Sequence, residues 1–467
     1  MRILLVKPNA ATDSIVPPLG LGYLAEQIRR DHDVIILNCL ARDLNLREFV
    51  DEVTRLAPDV VGLQVYTSDR EVVRRYLGRL HGLRPRPTVV VGGPHPSSVP
   101  ETVLDELGPA VDFAFAGEAE LTFKRWIAQL EAGPLAADTI RGLPGLIWRD
   151  GARTVVNPPV FQADLSIFGE PAWDLLRPET YPHAPYAAFV QRLPVVPIIT
   201  SRGCPNRCAF CAAGFLSGHR IRYRAPEAVV DEMLRLKRDH GIREIQLADD
   251  NFTANPRLVA ELCELMLARG VDLPWSCPNG VRVERLDGPL LALMRRSGCH
   301  SLAVGIESGS PRILAKVCKE INLDRVRAGL HLIRRAGITT VGYFMLGFPS
   351  ETDAERRQTI SLSLDLPLDR AHFMLYCPLP GTPLYEEARR SARFRDDTDY
   401  GFNSAIHVPE GTTANRLVLQ QKEAFGRFYL RPHQLRVLLG SVRSPTHLWH
   451  MAGRIRRWLL SSPNRAV

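Results

Sequence analysis

Three cysteines stand close together in TSRGCPNRCAFC, with Cys204, Cys208 and Cys211 in C-x3-C-x2-C spacing. Thiolates are the ligands of iron–sulfur clusters, and three of them can hold three irons of a cubane while the fourth iron takes no ligand from the protein. An open coordination position is what a catalytic metal centre keeps, whereas a structural site is closed. Two competitors draw on the same residue types. Structural zinc needs a fourth ligand, which His219 offers nearby in sequence, and a simple electron-transfer ferredoxin would supply four cysteines per cluster. The six remaining cysteines, Cys39, Cys263, Cys277, Cys299, Cys318 and Cys377, are scattered and are expected to pack as small apolar residues. Cys377 lies at the end of an expected strand, where an acid or hydrogen-donor role stands beside the packing one.

Elements must position this triad, and the chain reads as alternating strands and helices. In residues 1–135 the runs RILLVKP, VIILN, VVGLQVY, TVVVGGPH and VDFAFAGE are expected strands. Between them, Leu24 and Ile28, then Val73, Tyr76, Leu77 and Leu80, mark the core faces of amphipathic helices. The fold class is therefore α/β, beginning with a Rossmann-like doubly wound parallel sheet whose ligand crevice lies at the carboxyl ends of the strands. Gly92 and Gly93 follow the fourth strand, where they either make a tight turn or let backbone lie against a large nucleotide tail.

Residues 194–390 carry six further strand–helix units, with strands in VVPIITSRG, EIQLADDNF, WSCPNGVRV, SLAVGIESG, TVGYFMLGF and HFMLYCPLP. Gly241, Gly270 and Gly337 are placed to end helices in the left-handed conformation, and Thr352 with Glu355 suits a capping box. Six right-handed crossovers predict a partial (β/α)6 barrel. The cysteine motif follows the first of its strands, and in such barrels the loops after strands build the active site.

Residues 136–193 are rich in Pro, Gly and aromatic residues and are expected to form an interdomain linker that packs Trp148 and Trp173 between two domains. Residues 391–467 read as a basic, helical C-terminal extension. The formal net charge of +8 gathers in FGRFYLRPHQLRVLLGSVRSPTHLWHMAGRIRRWLL while the rest is mixed in sign. That distribution argues against nucleic acid as a partner and leaves two readings of the tail: a capping helix pair with a solvated basic face, or docking on a membrane surface. No apolar run approaches the length that crosses a bilayer, and the start reads as a first strand, so a cytoplasmic location is expected, peripheral to the membrane if the tail docks.

TSRGCPNRCAFC on a first barrel strand resembles the signature of the radical S-adenosylmethionine superfamily, and LADDNF, VGIESGS, FMLGFPSET and CPLPGTPLYEEA after later strands resemble that family's ridge of cofactor contacts. The resemblance implies a 4Fe-4S cluster on the three cysteines whose open iron chelates S-adenosylmethionine. It further implies Phe210 beside the adenine, Asp249 or Asp250 near the methionine amino group, Glu307 and Ser308 near ribose and carboxylate, and Gly347 permitting close approach to the adenine. Each residue alone has a plain structural role available.

The preceding α/β segment, with PPLGLGYLAEQIR, VVVGGPH and DFAFAGEAELTF, resembles the cobalamin-binding subgroup of the same superfamily, and the two resemblances cover residues 1 to about 390. The D-x-H-x-x-G loop of many cobalamin binders is absent; KPNAATDSIVPPLG stands in its place, and Asn9, Gln64 and Tyr66 become the candidates for the lower cobalt face. Gly92 and Gly93 would cradle the nucleotide tail. What the resemblance implies is methylation of an unactivated carbon in a small-molecule substrate through a deoxyadenosyl radical and methylcobalamin, with an external electron donor; the aromatic and apolar content of residues 136–193 and of the tail points to a hydrophobic substrate. An oxidative cyclase or skeletal rearrangement with the same cofactors is the alternative, and a non-catalytic cobalamin or metal-cluster binding module a remote third.

Overall fold

The computed structural model describes residues 1–10, 16–181, 190–391, 393–395, 400, 404–440 and 453. Two compact units divide the chain: Met1–Pro182 with Arg202–Pro205 and Ala212–Arg224, and His183–Ser201 with Asn206–Cys211 and Ala225–Val467.

The first unit is built on β1 (Arg2–Lys7), β2 (Asp33–Asn38), β3 (Val60–Gln64), β4 (Thr88–Gly92), β5 (Phe113–Phe115), β6 (Leu146–Asp150) and β7 (Arg153–Val156). Their order is β2-β1-β3-β4-β5-β6-β7. The first five run parallel. Because β1 is covered on both faces it reads as an unbroken apolar run: Leu4 and Val6 join one core, Ile3 and Leu5 the other. The order 2-1-3-4-5 reverses between β1 and β3, and a doubly wound sheet opens its ligand crevice at that switch point.

The segment 136–193 departs from its expected linker role. β6 and β7 form an antiparallel pair that extends the same sheet from β5, and Trp148 is buried in the first unit's own core. Leu146 and Trp148 enter that core and Ile147 the opposite one, so the strand is covered on both faces and reads as a short apolar run set among prolines and glycines. Trp173 is buried in a short helix of the same unit, and YPHAPY lies mostly outside the described residues.

The second unit contains β8 (Val195–Ile198). The short strands β9 (Ser201–Arg202) and β10 (Arg222–Tyr223) pair with each other, and Arg202 and β10 belong to the first unit. The main sheet of the second unit continues with β11 (Glu244–Leu247), β12 (Trp275–Val281), β13 (Cys299–Glu307), β14 (Thr339–Leu346) and β15 (Arg370–Leu375). The order β8-β11-β12-β13-β14-β15 is sequential and parallel, with β8 and β15 at its two edges, which is a partial barrel. The helix Pro226–His240 ends at Gly241 in the left-handed region, as expected, and Thr352 and Glu355 close their capping box. The helix Ala414–Tyr429 lies along β15, with Gln421 Nε2 donating to the Phe373 carbonyl and Leu417 and Val418 packed on Leu346 and Leu375. Most of the basic tail beyond residue 440 falls outside the described residues.

Candidate functional site

In the second unit the chain leaves β8 through Thr200 and Ser201, which are fastened to β11 by Asp249. The Thr200 amide donates to Asp249 Oδ1 at 2.7 Å, and the Thr200 and Ser201 hydroxyls donate to Oδ2 at 2.5 and 2.6 Å. Burial pushes the Asp249 carboxyl up while these hydrogen bonds pull it down, and the net shift is upward. Both of its oxygens are engaged in holding the loop that leads to the cysteines, so Asp249 acts there as a positioning residue. Asp250, beside it, is exposed at the carboxyl end of β11.

Cys208 and Cys211 sit on a turn in which the Cys211 amide donates to the Cys208 carbonyl. Ala209 between them docks twice by backbone, donating to Val317 at 2.9 Å and accepting from Leu384 at 3.1 Å. Phe210 packs at 5.9 Å on Phe348, which in turn lies 5.2 Å from Tyr376. The Phe210 ring is only partly buried, which leaves surface for a flat ligand such as a purine.

At the end of β13, Glu307 takes a positive φ of 66° and pairs with Lys319 at 2.8 Å. Gly305 makes room for them: a Cβ there would stand 2.4 Å from Glu307 Oε1 and 2.9 Å from Lys319 Nζ. Burial would lower the Lys319 ammonium, but the Glu307 carboxylate and the nearby Cys208 thiol outweigh it and hold the pKa up. Nothing in AKVCKEIN marks this lysine apart from other charged residues, and only the fold brings it to Glu307 and Cys208.

Ser308 is fully buried, its hydroxyl within 3.2 Å of Thr359 Oγ1 and accepting from the Ser310 amide, so it braces the turn into the helix Pro311–Lys316. Gly347 has a φ of +95°, and a Cβ would meet Leu417 at 2.8 Å, so backbone geometry and helix packing already demand glycine. Its amide donates to Glu351 Oε2, a buried carboxylate whose pKa burial raises to about 7. Glu351 Oε1 has no hydrogen-bond partner among the described residues.

In the first unit, the candidates gather at the β1/β3 switch point. Tyr66 is 40% exposed just beyond β3, and Lys7 Nζ lies 4.5 Å from its ring while pairing with Asp69 at 2.7 Å. Gln64 ends β3 and Gly92 ends β4. Gly93 follows with φ +108°, its missing Cβ pointing at the Val65 carbonyl 3.1 Å away, so the turn itself requires it. Asn9 is tied down, its amide nitrogen donating to Asp43 and the Leu44 carbonyl. The histidine of GGPH is no substitute for the missing loop histidine: His95 is fully buried, its ring nitrogens 3.2 Å from Thr67 Oγ1 and 3.2 Å from Glu106 Oε2. Both ring nitrogens of His95 are thus taken up by neighbouring side chains.

The chemistry of the donors separates the triad from the other thiols. Burial pushes Cys39 up to about 12 and Cys263 to about 11, and raises Cys277 and Cys299 well above the usual thiol range, which disfavours thiolate and suits packing. Cys377 is buried too. Cys318 departs from the expectation, being exposed with a φ of +52° at the end of a helix. Cys204 and Cys208 are half-buried and Cys211 is exposed, as ligands of an exogenous cluster need to be. Among the described residues no three His, Cys, Asp or Glu side chains already converge as a metal site. His219 is exposed and its ring lies over Gly214.

Cys204 belongs to the first unit. Its amide donates to the Gly218 carbonyl, and Gly203 before it has φ +93° with the Arg220 carbonyl 2.5 Å from where a Cβ would stand. Arg202 and Arg222 on either side bond to Glu118 and Glu120, four buried charges that sequence reading passed over.

Residues 198–363 match the model of the radical SAM superfamily, and residues 8–127 match that of the B12 binding domain. An uncharacterized methyltransferase of Pyrococcus horikoshii is 31% identical over 93% of this chain and 94% of its own length. The anaerobic magnesium-protoporphyrin IX monomethyl ester cyclase of Cereibacter sphaeroides is 28% identical over 92% of this chain and 71% of its own. Among solved structures, the radical S-adenosylmethionine methyltransferase TsrM from Kitasatospora setae superposes with a TM-score of 0.68 at 20% identity, covering 89% of this chain and 80% of that one.

Proposed function

The chain belongs to the cobalamin-binding branch of the radical S-adenosylmethionine superfamily, and from that premise we propose that it methylates an unactivated carbon of a small-molecule substrate. Its cofactors are a 4Fe-4S cluster, S-adenosylmethionine and cobalamin. When bound, they supply a carbon-centred radical and a transferable methyl group, chemistry that no side chain offers. The observation that carries the reading is one chain holding both a six-stranded parallel sheet with the cysteine motif after its first strand and a doubly wound sheet of order 2-1-3-4-5. A near-full-length relative named a methyltransferase agrees with it.

The work of the protein is to bind, orient and exclude water. Cys204, Cys208 and Cys211 would ligate the cluster, and Phe210 would lie against the adenine. Asp250, exposed at the carboxyl end of β11, would receive the methionine amino group. The Glu307–Lys319 pair would present compensated charge to the polar end of the same cofactor. Ser308 and Gly347 would shape that site from behind through the turns they brace. Gln64 and Tyr66 would line the lower cobalt face, with Gly92 and Gly93 beside the nucleotide tail and Asn9 holding the β1 loop. Cys377 keeps a packing role. An external electron donor and a hydrophobic substrate complete the proposal, in a cytoplasmic protein. Among the described residues no helix is long and apolar enough to cross a membrane.

The cyclase relative supports a second reading, oxidative cyclisation with the same cofactors. Product analysis with substrate-containing extract separates them. Methyl transfer yields S-adenosylhomocysteine and deoxyadenosine in equal amounts, whereas deoxyadenosine without matching S-adenosylhomocysteine would select cyclisation. No deoxyadenosine under strong reduction would leave only the binding module.

A further inference from the structure

The motif GEAE after β5 resembles part of a cobalamin domain, yet both of its carboxylates are spent on two arginines that bracket Cys204. Glu118 takes a two-pronged grip on Arg222, at 2.7 Å from Nη1 to Oε2 and 2.8 Å from Nη2 to Oε1. Arg202 Nη1 stands 2.7 Å from Glu120 Oε1 and 3.5 Å from Glu118 Oε1. All four side chains are at most 10% exposed, and their charges balance.

The arginines are held from other sides as well. Arg202 lies over Phe168 at 4.4 Å and Tyr23 at 4.8 Å. Arg222 donates to the carbonyls of Gln162 and Ser217, the second bond folding the cysteine loop back on itself. Such planar, bidentate fixing is what guanidinium offers and ammonium does not. Between the arginines, Gly203 and Cys204 are threaded against the backbone of residues 217–220 with no space for a Cβ at 203. The backbone that carries Cys204 is thereby pinned, through Glu118 and Glu120, to the turn after β5 and the helix Glu120–Ala132 that follows it.

We propose that Glu118 and Glu120 are positioning residues for the cluster ligand Cys204: they hold its backbone segment in place, and iron is retained more tightly for it. This rests on the reading of the triad as cluster ligands. The balance of charges matters because one buried ion left without its partner is costly, whereas removing both is much less so.

The test uses the full chain, reconstituted anaerobically, with iron release to an excess of chelator followed by absorbance. Glu118→Gln should release iron about tenfold faster than wild type, equivalent to about 1.4 kcal/mol, while cobalamin binding stays near wild type even though the thermal midpoint falls as buried Arg222 loses its partner. Glu118→Gln with Arg222→Gln should release iron no faster than Glu118→Gln alone. Should Glu118→Gln not fold, Arg222→Lys, which keeps the charge and loses the fork, is judged by the same three readouts. Unchanged iron release in a folded variant overturns the proposal, as does loss of iron and cobalamin in parallel, which marks a general scaffold. A wild-type chain that takes up no more iron than Cys204→Ala would instead sink the cluster reading itself.

Discussion

The two sheets end in different chemistry. At the β1/β3 switch point of the first, the residues offered are an amide, glycines and an exposed ring, with the ion pair Lys7–Asp69 closed on itself. At the carboxyl ends of the second stand the buried carboxylates Asp249, Glu307 and Glu351, each bound to a partner, Glu307 to the partly buried Lys319. The contrast teaches what each edge can recognise. A shaped, weakly charged edge suits a large flat ligand, while a polar, charge-compensated one suits a ligand with a zwitterionic amino-acid end, such as S-adenosylmethionine.

Breaking the charged edge should have the largest effect. Lys319→Met leaves Glu307 buried without its cation and should cost about 3–5 kcal/mol of stability. Adding Glu307→Gln should recover most of that loss in thermal or denaturant unfolding. Additive losses would show that the pair is not one unit.

Glu351 sharpens the same edge through pH. Its folded pKa of about 7 lies above the ordinary glutamate value of about 4.3. Because the folded state binds this proton more tightly, the stability it contributes is present below about pH 4 and is lost as pH rises through 7. Glu351→Gln removes that titration, so from pH 4 to 8 the variant should gain on wild type by roughly 3 kcal/mol. A gap that does not move with pH would place the proton elsewhere.

The uncharged edge should respond more gently. Tyr66→Ala, with Gln64 unchanged, should weaken cobalamin binding about tenfold, or about 1.4 kcal/mol, without altering the fold. Asn9→Ala should instead cost about 1 kcal/mol of stability through its lost bonds to Asp43 and Leu44. An unchanged cobalamin spectrum after replacing Asn9, Gln64 and Tyr66 together would remove all three from the cobalt face.

Much of this architecture could be read from the chain because strand–helix alternation is a local pattern, with ends marked by residues such as Gly241, Thr352 and Glu355. The hairpin Leu146–Val156 was hidden by short strands set among turn residues. The cysteine triad was legible through its spacing. Its supports were not: Arg202 and Glu118 lie far apart in sequence, and no local signal says that a surface-type residue will be buried against its opposite charge. The same holds for Lys319 and Glu351. Ser308, Gly347 and Asp249 were singled out by position along strand ends, yet each has its polar atom or bare Cα committed to neighbouring protein.

The most direct test of the central claim is deoxyadenosine formation from S-adenosylmethionine by the reconstituted chain under a strong reductant, with Cys208→Ala in parallel. Wild type should produce it and the variant should produce none above background. Equal production by both would contradict a cluster held on Cys204, Cys208 and Cys211.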